Sequence, residues 1–181
     1  MSKRLPYIVV LLMLLFSITQ ALAQIAMPDT VCAGTTRTYK VNDASVPSTY
    51  TWKIDGVIQS STKNDITIRW NTPGVFQLTV QERSANGCEG DIRSGLVYVM
   101  PMPVANAGPD AVVCFGIPIR LNGSGGGLYQ WSPPSTYLSN PTIANPIVNI
   151  PFAGTYQFIL NVTSTNGCKS PNSDTVSVTI L

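Results

Sequence analysis

The chain is one unit written twice, and this duplication constrains its fold more than any other feature. Val31-Cys32-Ala33-Gly34 returns as Val113-Cys114-Phe115-Gly116, and Tyr50-Thr51-Trp52 returns as Tyr129-Gln130-Trp131. Pro73-Gly74-Val75-Phe76-Gln77 answers to Phe152-Ala153-Gly154-Thr155-Tyr156-Gln157, and Asn86-Gly87-Cys88 to Asn166-Gly167-Cys168. The four landmarks keep their order at a spacing of about 80 residues. Met100-Pro101-Met102-Pro103 lies between the copies, where two prolines cannot both continue a sheet ladder. The expected organisation is therefore a first domain over 25–100, a stiff linker over 101–103 and a second domain over 104–181.

Inside each copy the hydrophobic period is two, as in strands with one buried face. Tyr50, Trp52 and Ile54 alternate with polar residues, as do Ile66, Ile68 and Trp70, and then Phe76, Leu78 and Val80. The second copy repeats this with Ile117, Ile119 and Leu121, with Tyr156, Phe158, Leu160 and Val162, and with Val176, Val178 and Ile180. Turn signals such as Asp55-Gly56, Asn86-Gly87, Gly125-Gly126-Gly127 and Asn166-Gly167 separate the runs. No segment after residue 23 carries a helical stripe. Short antiparallel strands of this kind hide their apolar faces by folding into two packed sheets, so the expected fold is all-β: two tandem immunoglobulin-like antiparallel β-sandwiches.

The N-terminus reads as an address. Lys3 and Arg4 precede an apolar run from Tyr7 to Ile18, and Ala21-Leu22-Ala23 is a signal-peptidase pattern, which predicts a signal peptide over 1–23 and a mature chain from Gln24. An uncleaved anchor fits less well, because the run is far shorter than the roughly 20 residues that cross a bilayer. The expected location is extracytoplasmic, secreted or at the cell surface, with no membrane insertion after cleavage. Of 11 Lys plus Arg, two lie in the signal segment, and the rest balance 9 Asp plus Glu. Nothing resembles a clustered basic face, so nucleic acid is not an expected partner.

Cys32, Cys88, Cys114 and Cys168 make an even number in an exported chain, which predicts two disulfides. Zinc is disfavoured, since there is no C-x-x-C pair and no histidine. Equal placement of the cysteines in both copies favours Cys32 with Cys88 and Cys114 with Cys168 over the two connectivities that join the copies. Each loop of more than fifty residues would contribute about 4 kcal/mol in the chain-entropy account.

Ala105-Asn106-Ala107-Gly108-Pro109-Asp110, the strand at Gly154 to Asn161 and the Asn-Gly-Cys turns resemble the PKD-like (polycystic kidney disease) repeats of secreted and surface proteins. With Tyr129 to Pro133 and Leu138-Ser139-Asn140-Pro141, the chain is similar to the version found in Bacteroidota surface proteins, including gliding-motility-associated and type IX secreted ones. It departs from the family's W-D-F-G-D-G motif at Trp52-Lys53-Ile54-Asp55-Gly56 and at Trp131-Ser132-Pro133-Pro134. The resemblance implies a spacer, adhesion or carbohydrate-associated module that contacts protein or polysaccharide at the cell surface. Such proteins usually carry further repeats and a sorting domain, so the chain is read either as a small secreted protein or as the front of a longer surface protein or enzyme.

Without histidine, Ser-His-Asp and Cys-His catalysis are excluded. A carboxylate pair could serve a glycosidase, with Asp55, Asp65, Glu82, Glu89, Asp91, Asp110 and Asp174 as candidates, but most fall in turns that favour Asp for backbone reasons. The chain is therefore expected not to be an enzyme. Trp52 and Trp131 occupy the strand where sandwich folds bury a tryptophan against the disulfide. Trp70, Tyr129 and Tyr137 are the candidates for stacking on a glycan, the alternative function. No cofactor is required, although Asp29, Asn106 and Asp110 offer hard oxygen donors that calcium could use.

Overall fold

The computed structural model describes residues 28–42, 47–133 and 136–181. The predicted signal segment and its cleavage site lie outside the described residues. Thirteen strands and no helix are found in the described residues. The first copy contains β1 (Asp29–Cys32), β2 (Thr35–Lys40), β3 (Ser48–Ile54), β4 (Val57–Ile58), β5 (Asp65–Trp70), β6 (Gly74–Ser84) and β7 (Arg93–Met100). The second contains β8 (Ala111–Val113), β9 (Ile119–Arg120), β10 (Leu128–Ser132), β11 (Ile147–Val148), β12 (Gly154–Thr163) and β13 (Asp174–Ile180).

Each copy packs a larger sheet on a two-stranded one. The first has the order β1-β7-β6-β3-β4 facing β2-β5, and the second has β10-β12-β13-β8 facing β11-β9. The alternation read from sequence is the burial pattern observed. Tyr50 and Trp52 of β3, Ile66 and Trp70 of β5, Leu78 and Val80 of β6, and Val97 and Val99 of β7 form one core. Trp131, Phe158, Leu160, Val162, Val176, Val178 and Ile180 belong to a separate second core. Trp52 and Trp131 are fully inside, and each indole N–H donates to a loop carbonyl, of Lys63 at 2.8 Å and Ile143 at 2.9 Å. These bonds satisfy the one polar atom that each ring buries. Asp55 and Gly56 both take positive φ, 47° and 83°, closing the β3–β4 hairpin as an Asp-Gly turn requires.

Two expectations need correction. Ile117 is 60% exposed and lies outside any strand, because the predicted run there is cut to the two residues of β9 followed by buried Leu121. The sheets are also not wholly antiparallel: β1 runs parallel to β7, and β8 runs parallel to β13. Each first strand thus ends at the pole where its last strand ends, with Cys32 opposite Met100 and Val113 opposite Ile180.

Removing the fully buried indole of Trp131 leaves a large cavity and an unpaired Ile143 carbonyl. Trp131→Ala should lower unfolding free energy by about 3–5 kcal/mol, read by urea titration. Val112→Ala, at a 65% exposed position, should change it by no more than about 0.5 kcal/mol.

Candidate functional site

The parallel end strands give every copy two chemically distinct poles. At the trailing pole, where the chain leaves the sandwich, lies the cysteine that ends or follows the first strand. At the leading pole lies the Asn-Gly-Cys turn that joins the last two strands. The two turns are nearly congruent. Ser84 N–H donates to Cys88 O at 2.9 Å and Ser164 N–H to Cys168 O at 2.7 Å, while Cys88 N–H and Cys168 N–H each reach a serine hydroxyl at 3.1 Å.

This arrangement overturns the predicted disulfides. Cys32 is bonded to Cys168, with the Cα atoms 5.6 Å apart, so the bridge joins the two copies; Cys88 and Cys114 are free, exposed thiols. Within one sandwich the cysteines stand at opposite ends of the last strand. The 8 residues of β7 span about 26 Å at 3.3 Å per residue, whereas a disulfide needs Cα atoms within about 7 Å. Where the copies meet, the trailing pole of the first faces the leading pole of the second. Met102 lies over the turn at Gly34, and Pro103 is buried.

A cleft of about 380 Å³ opens between the sheets of the first copy, lined by Asp29, Arg37, Tyr39, Trp52, Arg93 and Leu96 among others. Asp29 accepts a hydrogen bond from the Tyr39 hydroxyl at 3.0 Å and pairs with Arg37 at 3.3 Å. The Trp70 indole N–H donates to the same Tyr39 oxygen at 3.0 Å, and its ring packs on Phe76 with centroids 5.3 Å apart. In the second copy a smaller space of about 140 Å³ lies beside Ala107, Ala111, Ile119, Arg120 and Val176, and Ala107 is held by its N–H to Asp174 at 2.8 Å. Asp174 opens β13 as Arg93 opens β7.

Trp70 is therefore not a surface platform: it is 4% exposed and belongs to the core. Tyr129 and Tyr137 are half-buried against the second core, and Tyr137 meets Tyr156 edge-on at 6.0 Å. The three residues considered for glycan stacking are not brought together as one surface. Of the oxygen donors considered for calcium, Asn106 accepts from Gly108 N–H and Asp110 from Ser177 N–H, at 2.8 and 2.7 Å. No group of three or more His, Cys, Asp or Glu able to hold a metal ion occurs among the described residues. Asp55 likewise accepts from Gln77 N–H at 2.8 Å, and Glu89 from the Gln81 amide at 3.3 Å, which is turn and edge chemistry. Sequence reading missed the Asp29–Arg37–Tyr39–Trp70 cluster; β2 carries no strong alternation, since Tyr39 is its only large apolar residue.

The sheet order and the paired sandwiches define an all-β protein of tandem immunoglobulin-like units. The model of the family described as the PKD-like domain matches residues 18–96. The fold is similar to a Bacteroides ovatus mixed-linkage glucan utilization locus protein, SGBP-B, solved with a mixed-linkage heptasaccharide: 11% identity, TM-score 0.37, covering 87% of this chain and 66% of that one. It is also similar to fibronectin(III)-like modules of Clostridium thermocellum CbhA, at 12% identity and TM-score 0.40, covering 85% of this chain and 90% of that one. An I-band fragment of titin gives 16% identity and TM-score 0.49, covering 85% of this chain and 62% of that one. The chain thus spans less than two thirds of the first and third of these structures, and the likeness is one of fold. No curated protein sequence matches the chain.

Burial in the cleft wall, followed by the hydrogen bond and charge of Asp29, pushes the Tyr39 phenol up from 10.0 to about 12, against a smaller opposing pull from Trp70 and Arg37. The folded state keeps this proton where the unfolded chain has released it. Tyr39 therefore stabilises fully below pH 10, and that contribution is lost as pH rises towards 12. Urea unfolding across this interval should show stability falling more steeply for the native protein than for Tyr39→Phe, which has no proton to lose; equal slopes would refute the assignment.

Proposed function

We propose that the chain is a non-catalytic structural or adhesive module that works outside the cytoplasm. In this reading residues 1–23 are a signal peptide, 25–100 and 104–181 are the two domains, and 101–103 are the linker between them. It is the kind of tandem unit found in secreted and surface proteins of Bacteroidota, where it spaces or attaches a partner at the cell surface, a protein or a polysaccharide. The observation that carries the reading is the bridge across the junction. Cys32–Cys168 ties the end of the first strand of one sandwich to the last turn of the other, across a sequence separation of 136. A tensile load applied at the two ends of the chain passes through that bond, so that residues 33–167 are bypassed and only β1 and β13 lie in its path. This is the property wanted of a spacer that must keep its length under force.

Single-molecule pulling tests it. Fully unfolded, the bridged segment of 136 residues would release roughly 450–490 Å of contour length at about 3.3–3.6 Å per residue. This extension should be missing from native traces and should appear when a reductant is added or in Cys32→Ser. Equal extension with and without reductant would contradict the load-bypass reading. Glycan recognition is the weaker reading, since Trp70 belongs to the core and the two tyrosines lie against it.

A further inference from the structure

The bonded junction leaves one half of the same joint at each end of the two-sandwich unit. Cys88 occupies, at the leading pole of the first sandwich, the place that Cys168 occupies in the second. Cys114 occupies, at the trailing pole of the second, the place that Cys32 occupies in the first. We propose that Cys88 of one copy and Cys114 of the next form a disulfide, so that copies of this chain join head to tail through a repetition of the internal junction.

Three comparisons within the molecule support the equivalence. Ala33 N–H donates to Met100 O at 2.8 Å, and Phe115 N–H donates to Leu181 O at 2.9 Å, so the two trailing poles share one backbone frame. Both are followed by a glycine at φ 80°, Gly34 and Gly116. The leading-pole turns are congruent as well, with Gly87 and Gly167 both at φ 83°.

The paired positions differ in exposure. Cys168 is 1% exposed at the formed junction, whereas Cys88 is exposed. Ala33 is partly buried against its core, while Phe115 and Ile117 are each 60% exposed. The trailing end of the unit thus offers an apolar surface around an unpaired thiol, and the leading end offers the turn that fits it.

The contact is heterologous, with different patches on the two partners, so it propagates as an open chain unless the rotation between copies happens to close a ring. The chemistry is thiol–disulfide exchange. One thiolate attacks a disulfide oxidant, such as oxidised glutathione or the disulfide of an oxidoreductase in the exporting compartment, and releases one thiol. The second thiolate then displaces the other, forming the Cys88–Cys114 bond. Two thiols have given up two protons and two electrons, and the oxidant leaves as two thiols.

The test uses the purified protein incubated with oxidised glutathione and run without reductant. The native chain should give a ladder of multimers that collapses to monomer on reduction. Cys88→Ser and Cys114→Ser, both at exposed positions, should each stay monomeric, and mixing the two variants should give a band that stops at the dimer. Phe115→Asp should slow ladder formation without slowing the reaction of Cys114 with a small thiol reagent. Native protein that stays monomeric would overturn the proposal. So would single variants that form homodimers as readily as their mixture forms the mixed dimer, since that is indiscriminate oxidation of exposed thiols.

Discussion

The parallel ladder between the first and last strands of each sandwich is the constraint from which the remaining features follow. It places the first cysteine of a copy beside the exit of the chain and leaves the second at the far end of the last strand. Two cysteines separated by the length of a strand cannot bond to each other, but the trailing one lies where the next sandwich begins. A bond across that gap closes a loop of 136 residues, worth about 5 kcal/mol in the chain-entropy account. It also makes the unfolding of either sandwich a matter for both, because neither end of the loop can drift from the other.

The two cores would otherwise be slight. Each depends on a few alternating side chains around one tryptophan whose N–H finds a loop carbonyl, and no polar or charged residue is buried among the described residues. Domains of this size bury a smaller fraction of their surface than larger ones, and a covalent tie is a common supplement. Here a single tie serves both sandwiches, and Cys88 and Cys114 are left as free thiols among the described residues. The same duplication that gives the chain its two cores therefore gives it a joint with one half on each end.

Much of this is legible in the amino-acid sequence alone. The duplication, the period-two runs and the turn dipeptides point to the sandwich class, to most of the inward set with Ile117 as the exception, and to the burial of Trp52 and Trp131. What could not be read was strand direction at the edges. A first strand of three or four residues, such as Asp29–Cys32, has the same hydrophobic pattern whether it runs with or against its neighbour. Equal placement of cysteines in two copies is also compatible with a bond inside each copy and with a bond that steps from one to the next. Trp70 was misjudged for a related reason: it closes β5 beside a turn, and its burial depends on Tyr39 from β2 and Phe76 from β6, contacts that periodicity within one strand does not reveal.

Protease digestion of the unreduced monomer followed by mass spectrometry tests the central claim most directly. The account predicts a linked pair of peptides containing Cys32 and Cys168, with Cys88 and Cys114 recovered as thiols. Recovery of Cys32 with Cys88, and of Cys114 with Cys168, would mean that each sandwich is stapled on its own and that the junction is not covalent.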